Sequence, residues 1–299
     1  MISRLDLDEK GAGSPEGLVS RILKAEPSLR VPVPVEELCG KLDISSVEYE
    51  ALEGLEGALI TTSERESGII LVKETSHRFR QRFTIGHELG HFLIPTHMPN
   101  SDGRFLCSRA DMLLQHAEGK DRRTKMEVEA NRFSSLLLIP PPLLRPRLKD
   151  DPNLNQLVKL ASEFEVSKEA MARAYAFYHT ELLAFVLMHS GIVRRIYKHP
   201  SFPCVAVDVG RTAPTPSGAT SAGMITDVKE CLPDHWIRVE RGRPAPKLYE
   251  QTIGQQNNYS MVMLWLEKAK DNSDYENFDR EENLTASQRL RDRIYRSSK

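Results

Sequence analysis

The sequence has few of the features that mark several protein classes. Only 4 cysteines occur among 299 residues, and they stand far apart, without a CxxC pair: Cys39, Cys107, Cys204 and Cys231. This spacing is typical neither of a zinc ribbon nor of a disulfide-stapled domain, and scattered thiols favour a reducing compartment. The first residues are polar and acidic and lack the apolar segment of a signal peptide. We therefore expect a cytoplasmic protein.

Long apolar runs and a strong net charge are also missing. The longest apolar stretches, near residues 182–193 and 261–266, are too short or too interrupted to cross a bilayer. The formal net charge is −1, from 41 basic and 42 acidic residues, so the whole chain has no field that attracts nucleic acid or acidic lipid. We expect no membrane partner and no direct binding of DNA.

The composition is that of an ordinary globular protein, with 40% apolar and 28% charged residues, and the length suggests two domains. Helix-period segments interspersed with a few strands come first, and strand-period segments follow residue 181, which predicts an α+β fold. We expect a disordered lead-in, a first α+β domain, a helix pair, a β-rich domain and a charged tail, at residues 1–14, 15–148, 149–180, 181–267 and 268–299.

The clearest helix of the chain is predicted over residues 79–94, where Pro95 ends it. It contains the run His87-Glu88-Leu89-Gly90-His91. Two histidines four residues apart lie on one helical face, so both imidazoles can bind one metal ion. Glu88 lies about 100° further round the helix, beside such an ion, where its carboxylate can accept a proton from water. The pattern predicts a metal-dependent hydrolase with Glu88 as general base.

A catalytic zinc site needs a third protein ligand, and the helix predicted over residues 125–139 offers it. Glu127 shares a face with Ala130 and Asn131, so a small residue and an amide accompany the carboxylate. We favour Glu127 as the ligand and expect Asn131 to hydrogen-bond a ligand histidine. Glu129 is the rival, but it points about 200° away and is expected in solvent. Weaker candidates stand in irregular segments: Asp121, His116 and His97, the last expected in a surface loop.

Two histidines and a carboxylate tolerate both zinc and manganese, so Zn²⁺ is the expected cofactor and Mn²⁺ an alternative. The second donor that stabilises the oxyanion is left open among Tyr175, Tyr178 and His179. The strand predicted at residues 68–72 is a candidate for pairing with an extended substrate, and no substrate-binding residue is assigned.

Three stretches together resemble the ImmA/IrrE family of bacterial metallopeptidases: RFTIGHELGHFLI at 82–94, EVEANRFS at 127–134 and LLLIP at 136–140. The hairpin around residues 57–72 is similar to that family as well, and the resemblance is strongest from about residue 50 to 145. It implies a zincin-like fold and places His87, Glu88, His91 and Glu127 at the family's site positions. It also implies a protein substrate, usually a helix-turn-helix repressor that is cleaved to switch on stress or mobile-element genes.

The rest of the chain resembles the IrrE-type arrangement, in which a GAF-like, sensory domain follows a helical linker. The helix pair at residues 153–178 has helix-turn-helix-like spacing, but its second helix has only Lys168 and Arg173 as cations. We expect the pair to pack against the core. A non-catalytic repressor-binding protein and a DNA-binding regulator remain the alternatives to a peptidase.

Overall fold

A computed structural model describes residues 13–62, 64–114, 121–216, 221–238 and 246–267. The predicted charged tail lies outside the described residues, as does nearly all of the predicted lead-in. The predicted domain boundaries within the described part stay predictions.

The helices of the described residues follow the predicted order closely. The two that carry the candidate site residues begin one to three residues earlier than predicted, at Arg78 and Arg122. In chain order the helices are α1 (Pro15–Ala25), α2 (Val35–Lys41), α3 (Arg78–Leu93), α4 (Arg122–Leu138), α5 (Pro141–Leu144), α6 (Leu154–Glu163), α7 (Lys168–Tyr178) and α8 (Pro233–Trp236).

Short polar side chains and prolines set the limits of these helices. The Ser14 hydroxyl accepts a hydrogen bond from the backbone N–H of Gly17, and Pro15 occupies the first turn of α1. Asp121 caps α4 by accepting from the N–H groups of Arg123 and Thr124. Pro95 follows the cap residue of α3, so the helix that carries the paired histidines ends as the sequence predicts.

The strands form two sheets, which confirms the mixed α+β class. They are β1 (Ile44–Glu50), β2 (Gly57–Thr61), β3 (Gly68–Lys73), β4 (Arg104–Cys107), β5 (Leu182–His189), β6 (Ile192–Lys198), β7 (Lys229–Cys231), β8 (Leu248–Gly254) and β9 (Tyr259–Leu266). The first sheet has the order β1-β3-β2-β4, and the second has the order β6-β5-β9-β8-β7.

The first sheet corrects one expectation about substrate pairing. β3 pairs in parallel with β1 and antiparallel with β2, so both of its edges are already hydrogen-bonded. The segment at residues 68–72 therefore has no free edge for a peptide. The outer strands of this sheet are β1 and β4. β4 was not predicted because it has only four residues and lies in an otherwise polar, irregular stretch of sequence.

The named strands of the second sheet pair antiparallel, and the prediction of its strands was partly wrong. Strands predicted at residues 205–209 and 237–239 are replaced by an isolated bridge between Val205 and Ile237, beside α8; residue 239 itself lies outside the described part. β8 was missed because Glu250, Gln251 and Thr252 are buried polar residues, which interrupt the apolar alternation that identifies a strand. Their polar atoms have partners, such as the Glu250 carboxylate, which accepts from the Trp236 indole N–H at 2.8 Å.

One continuous apolar core joins the first sheet, α3, α4 and the helix pair to one face of the second sheet. Leu59 and Ile70 from the first sheet and Phe185 and Met263 from the second belong to this single cluster. A smaller cluster around Trp236 covers the opposite face of the second sheet. α3, the helix that carries the paired histidines, is thus packed inside a core to which both sheets contribute.

The helix pair packs as expected. Leu157, Phe164 and Tyr175 are fully buried, and α7 lies against β5 and β6. On the polar side of α7, Glu169 accepts a hydrogen bond from the Tyr197 hydroxyl at 2.7 Å. Glu165, in the turn between α6 and α7, pairs with Arg78 and Arg82 of α3. This linkage ties the helix pair to the site helix.

Among the helices within the described ranges, none combines the length and the apolar character that crossing a bilayer requires.

Candidate metal centre

The centre of α3 is buried on every side. His87, Glu88 and His91 have no exposed surface, and neither do Ile85 and Leu89 on the apolar face. The sequence predicted a helix with one side in the core and the other facing a cleft. The difference arises because α4 and β4 cover the polar side, so the paired histidines lie in an enclosed environment.

Small residues allow α4 to approach α3 closely. A Cβ added at Gly90 would meet Phe133 at 3.1 Å and the Ala130 backbone at 3.3 Å, and one added at Gly86 would meet the Ser134 Oγ at 2.6 Å. The predicted roles of Gly90 and Ala130 in close packing are therefore confirmed. Because the two helices lie so close, a carboxylate on α4 reaches the histidines of α3.

Three ligand-type atoms converge between these helices. The Nε2 atoms of His87 and His91 are 3.1 Å apart. Glu127 Oε2 lies 3.2 Å from the first and 3.4 Å from the second. Donors bound at about 2.0–2.1 Å around a tetrahedral zinc ion are separated by about 3.3 Å. The donor separations therefore fit one small tetrahedral cation.

Asn131, on the same face of α4 as Glu127, lies beside the His87 ring. Its amide nitrogen donates to the backbone carbonyls of Asp111 and Leu114, at 2.8 and 3.0 Å, which orients its Oδ1 towards the ring. That Oδ1 lies 2.9 Å from His87 Nδ1, which must carry a hydrogen to donate. In the neutral ring, Nε2 then has a free lone pair directed at the converging donors.

The charges of this group also favour a bound cation. Burial lowers the pKa of His91 to about 4, despite the nearby Glu127. Burial would lower the pKa of His87 too, but contact with the Glu127 carboxylate raises it overall. Burial likewise opposes ionisation of Glu127, yet the two imidazoles lower its pKa. The Glu127 carboxylate therefore stays ionised although it is buried, and its Oε2 has no hydrogen-bond partner among the described residues. The donor set fits a metal ion.

Glu88 lies beside this group but does not join it. One carboxylate oxygen, Oε1, is buried without a hydrogen-bond partner, and the other lies 3.6 Å from the Cys107 thiol. Burial raises the pKa of Glu88 to about 7, although the nearby His87 opposes the shift. A carboxyl group with a pKa near neutrality can both accept and donate a proton in one reaction cycle.

Cys107, in β4, is a residue that sequence reasoning missed. Among the described residues, His87, His91, Cys107 and Glu127 form a buried group whose ligand atoms all lie within 4.8 Å of one another. The signal available in the sequence was the short apolar run of Phe105, Leu106 and Cys107, which is too brief to identify a strand by its period.

Two further expectations were wrong. His97 is fully buried rather than in a surface loop, because its N–H donates to the Ile94 carbonyl in a tight turn that returns the chain to α3. Glu129 is not simply solvated: its Oε2 lies 3.1 Å from His97 Nε2, although it contacts none of the three converging donors. Asp121 is occupied as the cap of α4, and His116 lies outside the described residues.

The candidate oxyanion donors are engaged elsewhere. The Tyr175 hydroxyl donates to Gln156 Oε1 at 2.5 Å, between α6 and α7. The Arg145 guanidinium lies over the Tyr178 ring, 5.4 Å from its centroid. His179 is buried against Tyr175, and its Nδ1 accepts from the backbone of Glu181. The second donor to an oxyanion therefore stays unassigned.

Arg65 supports the end of α3 that carries His91. It lies in the turn between β2 and β3 and is almost fully buried. Its Nη1 donates to the carbonyls of His91, Phe92 and Ile94 at 3.3, 3.2 and 2.8 Å. These carbonyls belong to the last turn, where helix acceptors lack partners and a cation is favourable.

Replacing Arg65 with methionine should therefore lower the free energy of unfolding by about 2 kcal/mol, because buried acceptors lose a charged donor. Urea denaturation measures the change. Arg30→Met is the matched control, since that exposed guanidinium lies 3.9 Å from Glu37, and it should change stability by less than about 0.5 kcal/mol. Equal effects of the two substitutions would contradict the capping role.

Comparison with known families identifies the part of the chain that contains this centre. Residues 46–175 match the family model of peptidase M78, described as an IrrE N-terminal-like domain. The chain contains a peptidase M78 domain. The resemblance to the ImmA/IrrE family is thereby confirmed over these residues, which include every converging donor. The M78 domain indicates a metallopeptidase and a protein substrate, and its buried donor group indicates a metal ion.

Other comparisons add little to the M78 assignment. A search of curated proteins finds no match. Among solved structures, a Mycobacterium tuberculosis transcriptional regulator is similar with 12% identity and a TM-score of 0.48, over 84% of this chain and 87% of that chain. A likeness this weak supports neither a shared fold nor a shared function.

Proposed function

We propose that the chain is a zinc-dependent endopeptidase with a zincin-like M78 domain. In this proposal His87, His91 and Glu127 hold the ion, Glu88 is the general base and Asn131 orients a ligand. One observation carries the proposal. Three buried donor atoms are separated by the distances expected around a tetrahedral ion, and a Glu88 oxygen without a hydrogen-bond partner lies beside them. A bound zinc ion would supply a Lewis acid that polarises a peptide carbonyl and makes a water molecule more acidic.

The protein's own residues would manage the proton. Glu88 would accept it from the attacking water and later deliver it to the leaving amine, because a carboxylate accepts a proton and the carboxylic acid that results can donate it. The Oε1 atom of Glu88 has no hydrogen-bond partner among the described residues, so it is available to accept that proton. Manganese is the alternative ion, since the same donor set accepts it.

The substrate we propose is a helix-turn-helix transcriptional repressor, whose cleavage would relieve repression in a stress or mobile-element response. The resemblance of the M78 domain to the ImmA/IrrE family supports this substrate. We also propose that the protein is cytoplasmic. The second sheet would form a GAF-like sensory domain, whose ligand is not assigned.

The proposal is tested with the purified full chain, zinc and a small helix-turn-helix repressor encoded beside its gene. Cleavage is followed by mass spectrometry of the fragments. Defined fragments that disappear when the metal is removed with a chelator and return with added zinc support it. An intact repressor in the presence of bound zinc would leave a non-catalytic repressor-binding protein as the better reading.

Cys107 gives a physical basis to the alternative hypothesis of a non-catalytic repressor-binding protein. If its thiolate were a fourth ligand, two histidines, one cysteine and one glutamate would close the coordination, as in structural zinc sites. Cys107→Ala separates the two cases. A catalytic site with three ligands should keep its zinc affinity within about threefold, whereas loss of a fourth ligand should weaken it by about 100-fold or more. Competition with a chromophoric chelator measures the affinity.

A further inference from the structure

A second polar chain lies behind His91, on the side of the ring away from the converging donors. His91 Nδ1 is 2.9 Å from His97 Nδ1. His97 Nε2 is 3.1 Å from Glu129 Oε2. His97 has no exposed surface, while the Glu129 side chain is 28% exposed and its other oxygen lies 3.9 Å from Lys125.

The directions of these two hydrogen bonds follow from which groups can donate. An ionised carboxylate only accepts, so Nε2 of His97 must carry the hydrogen that faces Glu129. A neutral imidazole has one donor and one acceptor, and His97 Nδ1 is therefore the acceptor. The short contact between the two Nδ1 atoms then requires that His91 donate from Nδ1.

The consequence reaches the metal donors. With its hydrogen on Nδ1, the neutral His91 ring directs a free lone pair from Nε2 towards Glu127 and His87. The Phe105 ring stacks on the His91 ring with centroids 4.7 Å apart, which restrains its rotation. Asn131 has the same effect on His87, so each ligand histidine is held by its own partner.

We propose that His97 and Glu129 are positioning residues that hold His91 in the Nδ1–H tautomer and so present its Nε2 to the metal ion. This inference deepens the proposed function, on which it rests for the presence of a divalent metal. It assigns a role to two residues outside the ligand set, one from the turn after α3 and one from α4.

Glu129→Gln tests the carboxylate without changing its size. The amide nitrogen can donate to His97, which permits the opposite tautomer of both rings and places a hydrogen on His91 Nε2. Zinc affinity, measured by chelator competition, should fall by about 10–100-fold. Lys125→Ala is the matched control because it removes the other partner of Glu129 and leaves His97 untouched. Its affinity should stay unchanged.

Two substitutions of His97 separate positioning from packing. His97→Phe keeps a ring in the buried space but cannot accept a hydrogen bond, and it should lose zinc affinity by a similar factor. His97→Gln can accept through its carbonyl and should retain more of the affinity. A packing role alone predicts the reverse order, since phenylalanine fills the space better. Melting curves establish that both variants fold.

NMR of the ¹⁵N-histidine-labelled, metal-free protein reads the tautomers directly. Wild type should show His91 protonated at Nδ1 and His97 protonated at Nε2 alone, and the Glu129→Gln spectrum should show a mixture. A His91 hydrogen on Nε2, or a doubly protonated His97, in wild type overturns the inference. This NMR measurement needs neither metal nor substrate. It can therefore contradict the tautomer proposal while cleavage is observed, and it can support that proposal when no cleavage is found.

Discussion

Glu88→Gln is expected to abolish peptide cleavage and to leave zinc binding intact. Glutamine has nearly the same size as glutamate but cannot accept the proton of an attacking water. General-base catalysis contributes about 10²–10⁴-fold, so the cleavage rate should fall by at least about 100-fold. Fragment formation from the proposed repressor substrate, measured at equal zinc occupancy, gives the rate.

The buried surroundings of Glu88 make this substitution informative. Its Oε1 has no hydrogen-bond partner and its Oε2 accepts from the Cys107 thiol at 3.6 Å, so the neutral amide disturbs few hydrogen bonds. Removing a buried ionisable carboxyl also relieves a desolvation penalty, and the variant should be at least as stable as wild type. Undiminished cleavage by Glu88→Gln would remove the general-base role and require another proton acceptor.

Glu127→Gln should have the opposite profile, with loss of the metal itself. The amide removes the negative charge that offsets a divalent ion between two neutral imidazoles. Zinc affinity should fall by more than about 100-fold, because replacing even a residue that only hydrogen-bonds a ligand lowers metal affinity by about 10–100-fold. In wild type, free zinc at 1,000 times its dissociation constant adds about 4 kcal/mol to the free energy of unfolding.

Thermal unfolding with and without zinc compares the two substitutions directly. Wild type and Glu88→Gln should both melt at a higher temperature when zinc is added, whereas Glu127→Gln should show little increase. The two variants make the same chemical change at two glutamates of one buried centre, so each controls for the other. A full zinc-induced increase in Glu127→Gln would exclude Glu127 as a ligand.

The sequence predicted much of the site because helical periodicity is a local property. The four-residue spacing of the histidines placed His87 and His91 on one face, and the spacing on α4 placed Asn131 beside Glu127. Gly90 and Ala130 indicated the close approach of the two helices. These predictions needed only the geometry of a single helix and the size of the side chains.

The residues that were missed depend on contacts distant in the chain. His97 is buried because a turn returns the chain to α3. Cys107 reaches the centre because β4 pairs with β2, although β3 and α3 lie between these two strands in the chain. Glu129 was judged by its angle on an isolated helix, which says nothing about a histidine arriving from elsewhere. In the second sheet, the buried polar run in β8 had partners that no local pattern reveals.

The shared core has a consequence for how the protein divides. The apolar faces of β5, β8 and β9 help to enclose the helix pair, and Glu165 ties that pair to α3. Cutting the chain after α7 would remove the strands that bury Phe164 and Tyr175 and would expose apolar surface on both fragments. The M78 domain and the second sheet are therefore expected to unfold together, and a displacement of the second sheet can reach α3 through the shared core and Glu165.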